Sequence, residues 1–267
     1  MTPEPAPDPR HVVSTDGASI AYWTVGSGPS LLLVHGAMSD HRRWRITPIL
    51  AADRTVHALD RRGRGGSGDA PTWSLAQEVE DVRAAIDAIA SDSGTAVDVL
   101  GHSLGGLLSL RAAARNPQVR RLVLYEPAVI ERRQPADVVE RMQQALDDGR
   151  DEDAVLIMMR EVVRMPEDEI ATMRSLPSWP ARVAAAPTLP REMSVELVWD
   201  PQEGPNVTAR TLVILGGDSL AFMVEAAQRV LDGVPGAKLV VLEGQQHVAD
   251  VIQPEKFADV VIEFLDH

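Results

Sequence analysis

The six residues GHSLGG at positions 101–106 set a serine among glycines, an arrangement that could present a nucleophile. By itself G-x-S-x-G is a weak signal: at ordinary glycine and serine frequencies a chain this long holds about 0.1 such matches by accident. Its setting sharpens it. The apolar run AVDVL (96–100) precedes it and an apolar helical pattern opens at Leu104, so Ser103 falls at a strand-to-helix turn. An elbow that sharp lifts the serine oxygen clear of the backbone. It leaves no room for side chains two residues before and two after, where Gly101 and Gly105 stand. The backbone N–H of Leu104, at the opening of the helix, would then face the oxygen of whatever group Ser103 attacks. A phosphate-binding turn is the competing reading, but it needs a lysine after the glycines and none follows.

A serine hydroxyl is a poor nucleophile until a base takes its proton. Of the seven histidines, His11 and His267 lie near the chain ends, and His35 and His102 sit inside glycine turns. His247 follows the apolar run 238–242 in a loop that would arrive at the same sheet edge as Ser103, and it is the candidate base.

An alternation of strands and helices must hold these residues in place. Short apolar runs at 12–15, 19–25, 30–34, 55–59, 96–100, 122–125, 211–215 and 238–242 read as strands. The later ones lack in–out alternation, as parallel strands buried on both faces do. Helical patterns fill 74–90, 104–115, 220–231 and 254–265, the last opening on Pro254. This order predicts an α/β fold: a mostly parallel central sheet with helices on both faces. Between about 131 and 200 no strand is evident. Short helical patterns there are broken at Pro166, Pro177, Pro180, Pro187 and Pro190, and six of the nine methionines fall in the same stretch (Met142, Met158, Met159, Met165, Met173, Met193). The segment reads as a helical cap inserted between two strands. The expected organisation is a disordered, proline-rich tail over 1–10, a core of residues 11–130 and 201–267, and the cap at 131–200.

Composition narrows the partners. A net charge of −13 would be repelled by nucleic-acid phosphates and anionic membrane surfaces, so neither is expected. The absence of cysteine excludes disulfides, a thiol nucleophile and cysteine-based metal sites. No apolar run is long enough to span a bilayer, and the N-terminal residues lack the apolar stretch of a secretory signal, so the expected location is cytoplasmic. Nothing in the residues calls for a metal or an organic cofactor.

Taken with LLLVHG (31–36), DRRGRGGSG (60–68) and GQQH (244–247), in that order and spacing, GHSLGG resembles the α/β-hydrolase superfamily over nearly the whole chain outside the cap. The resemblance implies the α/β-hydrolase fold and a serine nucleophile, an acid and a late histidine in that chain order. It also implies an oxyanion N–H from the residue after the first His-Gly, here Ala37. Two acids remain open. The family's usual slot is the fourth residue of G-x-x-D after the strand that follows the cap. In LVILGGDSL (212–220), counted from Gly216, that slot is Ser219, and Asp218 comes one residue early. In some relatives, among them one group of haloalkane dehalogenases and the fungal mycotoxin lactonases, the acid stands at the end of the strand before the cap. In this chain that strand opens LVLYEPAV (122–129), and the residue is Glu126, between Tyr125 and Pro127. The acid's task is to accept the imidazole N–H and stabilise imidazolium while serine attacks. Glu126 is placed ahead of Asp218.

DRRGRGGSG could bind an anion through Arg61, Arg62 and Arg64; the resemblance makes it instead a tight loop packed beside the elbow, which is the reading adopted. Met38, Trp44, Met158, Met159 and Trp179 are candidate walls of a substrate pocket. The expected activity is hydrolysis of a carboxylic ester or lactone of a hydrophobic small molecule through an acyl-enzyme. Haloalkane dehalogenase and epoxide hydrolase chemistry is argued against, because those relatives need an aspartate where Ser103 stands. The alternatives are a cofactor-free haloperoxidase or an acyl transferase using the same triad, and a non-catalytic small-molecule receptor on this fold.

Overall fold

The computed structural model describes residues 8–131 and 133–267. Eight strands form one sheet: β1 (Arg10–Val13), β2 (Ser19–Gly26), β3 (Ser30–Val34), β4 (Thr55–Leu59), β5 (Val97–His102), β6 (Val119–Tyr125), β7 (Arg210–Gly216) and β8 (Lys238–Leu242). Their spatial order is β1-β2-β4-β3-β5-β6-β7-β8. β2 pairs antiparallel with both β1 and β4, and every pairing from β4 to β8 is parallel. β1 opens earlier than expected, with Arg10 already paired to Tyr22; residues 1–7 of the expected tail lie outside the described residues.

The central strands are apolar throughout because both faces are covered. Successive side chains alternate faces, so Leu32 and Val34 of β3, with Leu122 and Leu124 of β6, pack toward α2 (Leu75–Ser93), α3 (Leu104–Ala113) and α9 (Ala221–Gly233). Leu31, Leu33, Val123 and Tyr125 pack on the other face, against α1 (Thr47–Leu50), α10 (Ala249–Ile252) and α11 (Pro254–Asp266). β8 departs from the expectation of double burial. It is an edge strand, and Leu239 and Val241 are 42% and 40% exposed.

Between β6 and β7 the chain runs through α4 (Ala136–Asp147), α5 (Asp151–Ile157), a π-helical stretch (Met158–Val163), α6 (Glu167–Ser175), α7 (Trp179–Ala184) and α8 (Leu189–Met193). An antiparallel bridge between Ile130 and Leu197 ties the two stems of this insertion together. All six of its methionines are buried, in a cluster that also takes in Met38, Val248 and Val251 from the core. Among the described residues no helix is long and apolar enough to cross a membrane.

Candidate active site

Ser103, Glu126 and His247 leave the sheet at the carboxyl ends of β5, β6 and β8, the edge where open α/β sheets hold their ligands. β5 and β6 pair His102 with Tyr125, so Ser103 and Glu126 emerge side by side. The elbow is as sharp as the glycines require. Ser103 has φ 53° and ψ −122°, left-handed for a residue with a side chain, and α3 starts at the next residue. A Cβ on Gly105 would lie 2.3 Å from the carbonyl oxygens of Val34 and His35, and one on Gly101 would lie 2.7 Å from the Gly105 oxygen. Ser103 N–H donates to the Tyr125 carbonyl at 3.0 Å, and Ala128 N–H donates to the Ser103 carbonyl at 2.9 Å. The elbow is thus stitched to the strand end that carries Glu126.

Glu126 is 1% exposed, and its backbone too is left-handed, with φ 43°. Its Oε2 lies 2.6 Å from His247 Nδ1. Its Oε1 accepts from Gly216 N–H at 2.9 Å and from the Ser219 hydroxyl. Burial pushes the carboxyl up, but the hydrogen bond and charge of His247, with the bonds from Ser219 and Gly216, outweigh it and hold the group below the ordinary carboxylate range. Ser219 thus stands in the family's usual acid slot and donates to Glu126, which arrives from the neighbouring strand. Asp218 is exposed and is not brought to His247; only its backbone N–H bonds nearby, to the Gln245 carbonyl at 3.0 Å.

The His247 loop is pinned from below. Tyr125, fully buried, donates its hydroxyl proton to the Gln246 carbonyl and accepts from Ala249 N–H at 2.9 Å. His102 Nε2 lies 3.0 Å from the His247 carbonyl, which makes Nε2 the protonated nitrogen of that ring. Burial first, then the nearby Arg43 and His247, keep His102 well below its ordinary value, so it is neutral.

Ser103, His247, Ala37 and Leu104 line one narrow cavity, about 40 Å3 by the volume open to the centre of a water molecule. Among the described residues neither the Ala37 nor the Leu104 N–H has an acceptor in the protein. Among the described residues no hydrogen bond joins Ser103 Oγ to the His247 ring. The other walls are apolar apart from Gln134, and Ile130 and Phe222 also line a surface groove of about 540 Å3.

Of the five expected wall residues only Met158 lines the cavity. Neighbouring residues on a helix point roughly 100° apart, so Met159 turns into the core of the insertion instead. The π-helical stretch accounts for the rest of that wall. α-Helical spacing already sets Met158 and Val162 on one face; the wider turn brings Val163 to the same wall, which that spacing does not anticipate. Trp44 packs with Leu31, Leu33, Ile46 and Leu50 on the sheet face covered by α1 and α11. Trp179 lies half-buried against the insertion's own core, with Arg174 over its ring. Met38 is buried in the same cluster and lines no part of the cavity. Ile130 and Leu197, not anticipated, are the bridged stems of the insertion, and their place at its boundary is the one signal that could have marked them.

The glycine-rich loop binds its own carboxylates. Arg61 pairs with Glu78 and Glu192, Arg62 with Asp81 and Asp16, and Arg64 with Glu192. None is left for an exogenous anion, as the packed-loop reading expected. Asp40, His41 and Asp60 are the described group close enough together to hold an ion. Their oxygens are already engaged: Asp60 accepts from His41, Trp23 and Gly66, and Asp40 from Arg42.

Comparison with known proteins agrees with this architecture. An alpha/beta hydrolase from Sphaerobacter thermophilus is 37% identical, and its crystal structure superposes on 96% of this chain and 100% of its own with a TM-score of 0.80. The enol-lactonase of Burkholderia xenovorans, 20% identical, shares the fold at a TM-score of 0.74, with 97% of this chain and 100% of that one covered. The 2-hydroxy-6-oxo-2,4-heptadienoate hydrolase of Pseudomonas putida is 28% identical over 90% of each chain. Residues 31–260 match the Alpha/beta hydrolase family, a span that runs from β3 into α11, and on that ground the chain belongs to it.

Proposed function

We propose that this chain is a serine hydrolase that cleaves a carboxylic ester or lactone of a hydrophobic small molecule through an acyl-enzyme. The observation that carries the reading is the 2.6 Å contact between Glu126 and His247 Nδ1, set beside a serine elbow that shares an apolar cavity with the imidazole. Ser103 Oγ bonds to the substrate carbonyl carbon and passes its proton to His247 Nε2, while the carbonyl electron pair moves onto oxygen. Ala37 and Leu104 N–H stabilise that oxyanion. When the tetrahedral species collapses, the C–O bond to the leaving group breaks and His247 returns the proton to it. Water then repeats the sequence on the acyl-enzyme. Glu126, held ionised by its three donors, stabilises imidazolium in both halves. The helical insertion at 131–200 serves as the cap over this cavity. Its apolar lining suits the acyl part of the substrate, and the groove beyond Ile130 and Phe222 suits passage of the leaving group.

The test is a panel of p-nitrophenyl esters and lactones with a fluorophosphonate probe. The wild type should be labelled and should turn over. Ser103→Ala should lose the label and most of its turnover, by several orders of magnitude. Turnover undiminished in the alanine variant would overturn the reading.

A further inference from the structure

The turn that carries Ala37 is held by charged side chains that lead out to the helical insertion. Gly36 O accepts from His35 Nδ1 at 2.8 Å and from Arg61 Nη1 at 3.0 Å. His35 Nε2 in turn accepts from Arg61 N–H at 3.1 Å, which fixes the ring proton on Nδ1. A trans peptide is planar, so the Gly36 carbonyl and the Ala37 N–H point in opposite directions, and fixing one aims the other. Arg61 is itself gripped by Glu78 at 2.7 and 2.9 Å and by Glu192 of α8 at 2.5 Å. All three side chains are essentially fully buried.

On the far side of Ala37, Met38 has φ 52°, a left-handed conformation that the surroundings must enforce. Its carbonyl accepts from Arg182 Nη1 at 3.2 Å, reaching in from α7. Arg182 is 6% exposed and, among the described residues, has no carboxylate within ion-pair distance. Burial, and then the neighbouring Arg43, pull its guanidinium down to about 10. The charges of Asp250 and Asp40 offset part of the cost of that burial, and Nη2 meets Met173 Sδ at 3.9 Å, but a buried cation with no ion-pair partner remains costly to a fold. What it holds is a backbone carbonyl next to Ala37.

We propose that Arg182 and Glu192 are positioning residues that lock the turn Gly36–Ala37–Met38 from both sides, so that the oxyanion site is complete only with the insertion seated on the core. This rests on the reading of Ala37 N–H as an oxyanion donor. The insertion then contributes to the chemical step as well as to the pocket walls.

The experiment uses the full chain, p-nitrophenyl butyrate and 1,1,1-trifluorohexan-2-one. Ser103 Oγ adds to the ketone carbon, its proton passes to His247 and the carbonyl electron pair moves onto oxygen, so ketone affinity reads the oxyanion site. Arg182→Met should lower kcat about 10- to 100-fold, the cost of a small misplacement. Ketone affinity should fall in step with kcat/KM, while KM changes by less than about threefold. Glu192→Gln, which keeps the shape but removes the charge and turns one acceptor oxygen into a donor, should move both readouts in the same direction, and Arg182→Lys should recover part of the loss. Arg150→Met, which removes exposed pairs with Asp148 and Asp153 on the same insertion, should leave both unchanged. Unaltered kcat and ketone affinity in Arg182→Met, or a loss in KM alone, would overturn the proposal. Should Arg182→Met fail to fold by circular dichroism, Glu192→Gln carries the same decision. A wild type whose turnover survives Ser103→Ala fails at the earlier reading instead, so the two failures are distinguishable.

Discussion

Two neighbouring carboxylates illustrate how much a residue's surroundings decide. Asp218 sits in the loop where the family's acid usually stands, yet it faces solvent. Glu126 arrives from an adjacent strand, is almost wholly buried, and has three donors aimed at it: His247, Ser219 and the Gly216 N–H. Those donors favour the charged form that imidazolium needs as its partner. Glu126→Gln should therefore lower kcat on the order of 10³–10⁴, because the amide can accept the imidazole N–H but supplies no charge and permits a wrong tautomer. Asp218→Asn should cost about tenfold or less. Steady-state kinetics of the two variants on one ester would decide between them, and a crippled Asp218→Asn beside an active Glu126→Gln would reverse the assignment.

At the scale of elements, the π-helical stretch Met158–Val163 sets one wall of the cavity. Met158 projects from its first turn, and the thioether can be shortened without touching Ser103, Glu126 or His247. Met158→Ala should enlarge the cavity and raise the ratio of kcat/KM for hexanoate over butyrate esters by about tenfold, the order that one or two methylenes carry in an apolar pocket. The change should leave the rate on acetate esters nearly intact. A uniform fall across all chain lengths would mean that this stretch supports the catalytic groups and leaves acyl selection to other walls.

At the scale of the whole molecule, the glycine-rich loop after β4 joins the sheet, α2 and the insertion through buried ion pairs. Asp60 anchors that loop. Burial alone would raise its carboxyl, but hydrogen bonds from the His41 side chain and from the Gly66 and His41 N–H groups bring it down to about 2 from 3.8. A carboxyl whose folded value is depressed contributes stability above its unfolded value and loses that contribution as pH falls through the folded one. Asp60 should thus add about 2 kcal/mol at neutral pH, fading between about pH 4 and pH 2. Urea unfolding of wild type and Asp60→Asn across this range checks it: the wild type's advantage should shrink as the solution is acidified. Asp81 and Asp250, which burial raises, run the other way, so the difference between the two proteins isolates Asp60 better than the acid stability of either alone. An advantage constant from pH 7 to pH 2 would assign the effect to shape and not to charge.

Local sequence determined the pieces. The glycines around Ser103 had to be glycines because a backbone carbonyl or a neighbouring side chain stands where their Cβ atoms would go. The apolar runs had to be strands of a covered sheet, and the two candidate acids and the histidine had to fall at one sheet edge, since parallel strands place the loops after them on the same side. Tertiary structure decided whatever depends on partners far apart in the chain. That Glu126 and not Asp218 reaches His247 turns on contacts spanning 121 residues to His247 and 93 to Ser219. That Val163 joins Met158 and Val162 at the cavity turns on a π-helical stretch whose wider turn α-helical spacing does not anticipate. Trp44, an aromatic close in sequence to Ala37, packs instead with Leu31, Leu33, Ile46 and Leu50. The contacts of Arg61 with Glu192 and of Arg182 with Met38 span 131 and 144 residues, and a lone arginine in a helical pattern gives no sign that its end will be buried against a backbone carbonyl. Local propensity and periodicity act over a few residues, whereas hydrogen-bond geometry in a dry interior is set only when the elements pack.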